Sequence, residues 1–150
     1  MRVDQRLDEL NLTLPEEQQP IATYVTAVQT GNLLYISGVG PTAGSPKGKL
    51  GAEVSVELGY QAARECGMQL LARAKDALGD LDRIRRVVKI LGMVNFTPDF
   101  DQHPQVINGC SDLFVDVLAD AGRHARSAVG MNGLPNGICV EIEAIFEVSE

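Results

Sequence analysis

Three ionisable side chains near the end of this 150-residue chain stand in runs that otherwise suit a protein core. Residues 124–144 read HARSAVGMNGLPNGICVEIEA: a short apolar run carrying Arg126, a segment rich in Gly, Pro and Asn, and a second run carrying Glu141 and Glu143. A guanidinium offers parallel N–H donors that match a carboxylate in shape and charge. An Arg in such a place can therefore hold a small anionic substrate in one orientation. A carboxylate nearby can order a water and accept its proton. Two glutamates side by side also raise the proton affinity of one of them, which suits acid–base work. The alternative is a cross-strand ion pair between Arg126 and Glu143, which contributes little where solvent reaches it.

The elements around these residues must position them. The turn-rich segment suggests an antiparallel hairpin of strands 126–131 and 138–147. With its turn centred between Leu134 and Pro135, Arg126 opposes Glu143 and Glu141 lies diagonal to it; a neighbouring register opposes Arg126 to Glu141. Both registers put Arg126, Glu141 and Glu143 on one face. Ile138, Val140, Ile142, Ala144 and Phe146 then form the opposite face, turned to the core. A slip of one residue would reverse this sidedness.

Upstream, Val3, Leu7 and Leu10 recur at helical spacing and suggest a short amphipathic helix within an N-terminal extension of about 20 residues. TYVTAVQTG and NLLYISG read as strands joined by a tight turn at Thr30-Gly31-Asn32, and GVGPTAGSPKGKLG as a loop. Residues 54–78 form the clearest helix, with a stripe through Leu58, Ala62, Cys66 and Leu70 and with Gly79 as its stop. Residues 84–94 make a strand. Thr97-Pro98-Asp99 reads as an N-cap with Pro at the first helical position, but His103-Pro104 interrupts, so the second long helix is expected to begin near Pro104. It carries Val106, Cys110, Leu113, Phe114, Val117 and Ala121 on one stripe and stops at Gly122. The order implies one domain over residues 1–150, of α+β class: a single mixed sheet with two long helices on one face. A right-handed crossover is expected to join parallel strands on either side of the second helix. The 84–94 strand is apolar on both sides, with Val87, Leu91 and Met93 against Val88, Ile90 and Val94. Its second face needs a cover, and another subunit is the expected one.

Composition narrows the function classes. The net charge is −7 and the only basic cluster is Arg83 to Arg86, which argues against a nucleic-acid partner. No run of 18 apolar residues exists, so no membrane span is expected, and the charged start has no signal-peptide core, so a cytoplasmic protein is expected. Cys66, Cys110 and Cys139 are scattered and odd in number, and His103 and His124 are far apart, so neither a disulfide framework nor a metal site is indicated. Cys66 and Cys110 fit the core stripes. Lys47 and Lys49 fit a soluble loop that lacks the phosphate-loop spacing, and Ser37 lacks the context of a hydrolase nucleophile.

The closing motif resembles the signature of the Rid family of imine/enamine deaminases, also labelled translation inhibitors or L-PSP endoribonucleases. It comprises Ala125-Arg126-Ser127, a short strand, Leu134-Pro135 and then Glu141-Ile142-Glu143. The similarity runs from about Ala22 to Glu147 and takes in Tyr24, the strand Asn32 to Gly38, and Asn108. It implies a chorismate-mutase-like or YjgF-like fold, a homotrimer with sheets facing inward, and active sites in clefts between subunits. It also implies cofactor-free hydrolysis of 2-imino or enamine acids to 2-keto acids and ammonia. By position, the resemblance gives Arg126 the substrate carboxylate and Glu141 the attacking water. Tyr24 would line the cleft, Ser37 and Gly38 would contact substrate or water, Asn108 would support the site, and Glu143 would be structural. Ala128 stands where many relatives have Cys, and Val39 where they have Gln, so the pocket is expected to differ in polarity. Two rivals remain: a sensor that binds 2-keto acids or similar carboxylates without turnover, and a ribonuclease.

Overall fold

The computed structural model describes residues 2–16, 20 and 22–150; positions 1, 17–19 and 21 of the expected N-terminal extension lie outside the described residues. Along these residues run helix α1 (Val3–Glu9), strands β1 (Ala27–Thr30) and β2 (Leu33–Val39), helix α2 (Val56–Leu78), strand β3 (Ile84–Asn95), helix α3 (His103–Leu118) and strands β4 (Ala125–Met131) and β5 (Val140–Val148). The strands form one mixed sheet in the order β1-β2-β5-β3-β4. Every neighbouring pair is antiparallel except β3 and β4, which are parallel and joined through α3. The expected α+β class is therefore present, as are the parallel strands on either side of α3.

Local chemistry sets the helix ends. Ser55 caps α2 by accepting the Leu58 N–H at 3.2 Å, and Gly79 closes it in a left-handed conformation at φ 77°. Pro104 sits in the first turn of α3, where its missing N–H costs nothing. Thr97-Pro98-Asp99 is not its cap; it makes a separate turn in which the Phe100 N–H reaches the Thr97 carbonyl at 3.0 Å. Both helices pack on one face of the sheet. Cys66, Leu70 and Leu71 of α2 and Ile107, Cys110, Leu113 and Phe114 of α3 are fully buried with Val87, Ile90, Ile142 and Phe146 beneath them.

The two helices run close enough that Gly109 faces the backbone of α2. A Cβ added there would overlap the Tyr60 carbonyl, which cannot yield as a side chain can. Tyr60 also donates to Asp112 at 2.7 Å, and Arg64 pairs with Asp116 at 3.2 Å, fastening the same seam at its exposed edge. Gly109→Ala is expected to destabilise the fold by about 2–3 kcal/mol, the upper part of the overpacking range, measured by denaturant unfolding. Helix α1 packs across the far ends of these elements. Val3 and Leu7 are buried, the Val3 N–H donates to Asp82 at 2.7 Å, and Lys75 pairs with Asp4 at 3.0 Å.

Two expectations about the sheet are corrected. The first concerns β3. A bulge between Val87 and Lys89, relative to β5, shifts the alternation by one residue. Val87 therefore joins Ile90 and Val94 in the core, while Leu91 and Met93 face the other way. The second concerns β4 and β5, which are not a hairpin. Strand β3 lies between them, parallel to one and antiparallel to the other, and the 132–139 connection passes over its end. Asn95, at that end, holds the crossing. Its backbone N–H donates to the Cys139 carbonyl at 2.9 Å and its side-chain amide to the Ile138 carbonyl at 3.2 Å. Lys49, expected to serve only solubility, donates to Asn95 Oδ1 at 2.8 Å and to the Asn132 carbonyl at 2.6 Å.

Candidate functional site

The order of the strands decides where the charged groups point. Arg126 pairs with Ile90 and, through β3, stands level with Ala144, so it shares the helix-covered face. Glu141 stands level with Met93 and Val129, and Glu143 with Leu91 and Ser127, on the open face. Within one chain Arg126 and the two glutamates thus lie on opposite sides of the sheet. Neither expected hairpin register forms, and the Arg126–Glu143 ion pair does not exist. The physical reason is the inserted strand: a direct β4–β5 ladder would put residue sums of 267 or 269 on one side, whereas the two ladders through β3 bring Arg126 level with Ala144 instead. The core face read from β5 is correct for Val140, Ile142, Ala144 and Phe146, which are buried; Ile138 precedes the strand and is only partly buried.

On the helix side, Arg126 looks into a hollow of about 250 Å³ lined by Asn108, Ser111, Asp112 and Val115 of α3 and by Arg123 and His124. The expected partner Asn108 is thus beside it. The guanidinium donates through Nη1 to Ser111 Oγ at 3.0 Å and through Nη2 to the Pro104 carbonyl at 3.4 Å. Among the described residues no carboxylate pairs with it. Asp112, on the same wall, accepts from the Tyr60 hydroxyl, and this hydrogen bond, with burial, keeps the phenol protonated to higher pH than usual. A cation held by neutral oxygens, with further N–H donors turned to solvent, can receive an anion. His124 is half-buried beside it. Burial makes its imidazole harder to protonate than usual, and the Arg126 charge acts in the same direction. Ser111 was not singled out by sequence; its i, i+3 spacing from Asn108 was the available signal.

On the other side, Glu141 is half-buried at the junction of β2 and β5. Burial first, and the neighbouring Glu143 second, raise its carboxyl above the usual glutamate value. Its carboxylate lies over Gly38, where a Cβ would come 2.6 Å from Oε2. Glycine is therefore needed at 38 to leave that space. Gly38→Ala is expected to push the carboxylate aside at little expense in stability, since only the tip of a flexible side chain must move. If Glu141 acts on a substrate, turnover then falls about tenfold or more while the thermal midpoint stays near wild type. Ser37 donates its hydroxyl to the Val25 carbonyl at 2.8 Å, and its N–H reaches the Thr26 carbonyl at 3.0 Å. It thereby ties down the segment that presents the exposed Tyr24. Gly38 and Glu141 thus form one group, next to Ser37 and the segment carrying Tyr24, and Arg126 and Asn108 form another.

One further expectation changes. Val39 is buried in the core opposite Ile142, so its identity does not set pocket polarity. Cys139 is also buried, and burial raises its thiol above the usual range. Ala128 does share the side of Arg126, two residues along the edge strand β4. Among the described residues no three His, Cys, Asp or Glu side chains converge as metal ligands, and no helix is long and apolar enough to cross a membrane.

The family model described as "YjgF/chorismate mutase-like, putative endoribonuclease" matches residues 4–144. The chain belongs to this family. Its curated relative "Protein TCP17" of Trypanosoma cruzi is 42% identical, over 99% of this chain and 95% of that protein. The crystal structure of protein Atu1372 from Agrobacterium tumefaciens is 44% identical and superposes with a TM-score of 0.90, over 98% of this chain and 92% of the other. RidA from the Antarctic bacterium Psychrobacter is 29% identical with a TM-score of 0.57, over 86% and 91% of the two chains. The matched span, residues 4–144, contains both groups of residues described above.

Proposed function

We propose that this chain, folded as one domain, forms a homotrimer that hydrolyses 2-imino and enamine acids to 2-keto acids and ammonia. Each site is shared: Arg126 and Asn108 come from one subunit, and Glu141, Gly38, Ser37 and Tyr24 from its neighbour. The single observation that carries this reading is the Arg126 guanidinium, without a carboxylate partner among the described residues and held by Ser111 and Pro104 at the rim of a hollow beside the edge of the sheet. The open sheet face supports the assembly. Val28, Tyr35 and Val129 are exposed on it, with Leu91, Met93 and Ile145 between them. Such a face is a natural subunit contact.

In this reading Arg126 binds the substrate carboxylate and fixes the adjacent imine carbon in place. Glu141 accepts a proton from a water as its oxygen bonds to that carbon. Attack on the protonated imine gives a carbinolamine; Glu141 returns its proton to the nitrogen, the carbon–nitrogen bond breaks as the hydroxyl oxygen gives its proton to Glu141 and becomes the keto oxygen, and ammonia leaves a 2-keto acid behind. A carboxyl raised by burial and by Glu143 both takes and returns protons near neutral pH more readily than an exposed one.

The test is direct. An amino-acid oxidase generates 2-imino acids in situ, and 2-keto acid and ammonia release is followed with and without the protein. Acceleration is the expected result. Binding of 2-oxobutanoate without acceleration would replace hydrolysis by sensing. RNA cleavage that survives both repeated purification and Arg126→Ala would favour a nuclease.

A further inference from the structure

Arg126 is the end of a hydrogen-bonded chain whose direction is set by one carbonyl. His124 Nδ1 lies 2.6 Å from the Gly122 carbonyl oxygen, which can only accept, so Nδ1 carries the ring proton. Nε2 of the neutral ring is then an acceptor. It lies 2.9 Å from Ser111 Oγ, so the serine hydroxyl must donate to it. With its only proton engaged there, Ser111 Oγ presents lone pairs to Arg126 Nη1 at 3.0 Å. Phe114 packs edge-on against the imidazole, with ring centres 5.8 Å apart, and limits its rotation.

We propose that Ser111 and His124 are positioning residues for Arg126: the chain from the Gly122 carbonyl through His124 and Ser111 holds the guanidinium so that its remaining N–H donors meet a substrate carboxylate as a preformed fork. The inference rests on the reading of Arg126 as the carboxylate anchor. Without Ser111, the guanidinium keeps only its long contact to the Pro104 carbonyl and turns about its terminal torsions. An anchor that must be ordered at each binding event binds more weakly. A neutral histidine also avoids setting a second positive charge beside Arg126, and its tautomer takes the serine proton, which leaves the Ser111 lone pairs to the donor-only guanidinium.

The experiment compares wild type, Ser111→Ala and Ser111→Thr by three readouts. One is the order parameter of the Arg126 Nε–Hε signal, assigned with Arg126→Lys. The second is the tautomer of His124 by nitrogen NMR. The third is the affinity for 2-oxobutanoate. Wild type is expected to show an ordered Arg126 and a His124 ring protonated on Nδ1. Ser111→Ala should mobilise the arginine and weaken 2-oxobutanoate about tenfold, appearing in KM more than in kcat. Ser111→Thr, which keeps the hydroxyl, should recover most of both. An Arg126 equally ordered in Ser111→Ala, or a His124 protonated on Nε2, overturns the proposal. Loss of Arg126 order in Ser111→Ala without any imine hydrolysis by the wild type would leave the positioning chain standing and remove the deaminase reading alone.

Discussion

Arg126→Ala is expected to lower the kcat/KM of imino-acid hydrolysis by about 10²–10³-fold, the equivalent of losing two charge-assisted hydrogen bonds to the substrate carboxylate. The fold should survive the change. The side chain is partly exposed at an edge strand, and its internal partners are a serine hydroxyl and one backbone carbonyl. Arg126→Lys should rescue only a little, because an ammonium restores the charge and not the planar fork. Steady-state kinetics with 2-imino acids of different side chains gives the check. A uniform loss across them fits a residue that binds the carboxylate they share; a loss confined to one side chain would place Arg126 elsewhere in the pocket.

Glu141→Gln is expected to remove hydrolysis by about 10²–10⁴-fold, the range for a lost general base. It should also make the protein more stable at neutral pH. Burial and Glu143 raise the Glu141 carboxyl in the folded state above its ordinary value of 4.5. The folded protein therefore holds that proton more tightly than the unfolded chain. The associated stability is fully present below the ordinary glutamate value and is lost as pH rises through the raised one. Glutamine never bears the charge, so its advantage is present at pH 7 and fades towards pH 4. An increase of roughly 1–3 °C in the melting midpoint is the expected scale after solvent screening. In the wild type, activity should fall on the acid side with a midpoint above the usual glutamate range. Glu143→Gln should move that midpoint down by removing the repelling neighbour. A melting midpoint that drops in Glu141→Gln at pH 7 would mean the carboxylate is stabilising, which contradicts its environment.

Much of the scaffold was legible from local chemistry. The stripe from Ala62 to Leu78, the stop at Gly79, the two-residue turn after Thr30 and the parallel strands on either side of α3 all follow from periodicity, capping and connection rules, which act over short distances. The pairing of β4 with β5 did not follow, because it is settled by a competition between distant segments. Strand β3 is apolar enough to sit in the middle of the sheet, and its central placement buries Val87, Ile90 and Val94 between two neighbours. A direct hairpin would have left β3 at an edge. The turn-like residues between Met131 and Val140 signal a reversal, and they cannot say whether the chain returns beside its own strand or one strand further on. That one-strand difference carried Arg126 to the opposite face from Glu141. Similarly, the side on which Val87 lies depends on a bulge, which leaves no mark on hydrophobic alternation until the partner strand is known. The motif residues themselves, Tyr24, Ser37, Gly38, Asn108, Arg126 and Glu141, divide into two groups that sequence spacing gave no reason to separate.

Arg126 and Glu141 lie on opposite faces of one sheet, so the proposed site takes them from two chains, and mixed oligomers test this proposal most directly. Arg126→Ala and Glu141→Gln chains, each inactive alone, are unfolded together in equal amounts and refolded to exchange subunits. If each site takes its arginine from one subunit and its glutamate from the neighbour, about one quarter of the sites in random trimers regain both groups, and about a quarter of wild-type activity returns. If both residues serve a site within one chain, every site in the mixture still lacks one of them, and the mixture stays as inactive as its parents.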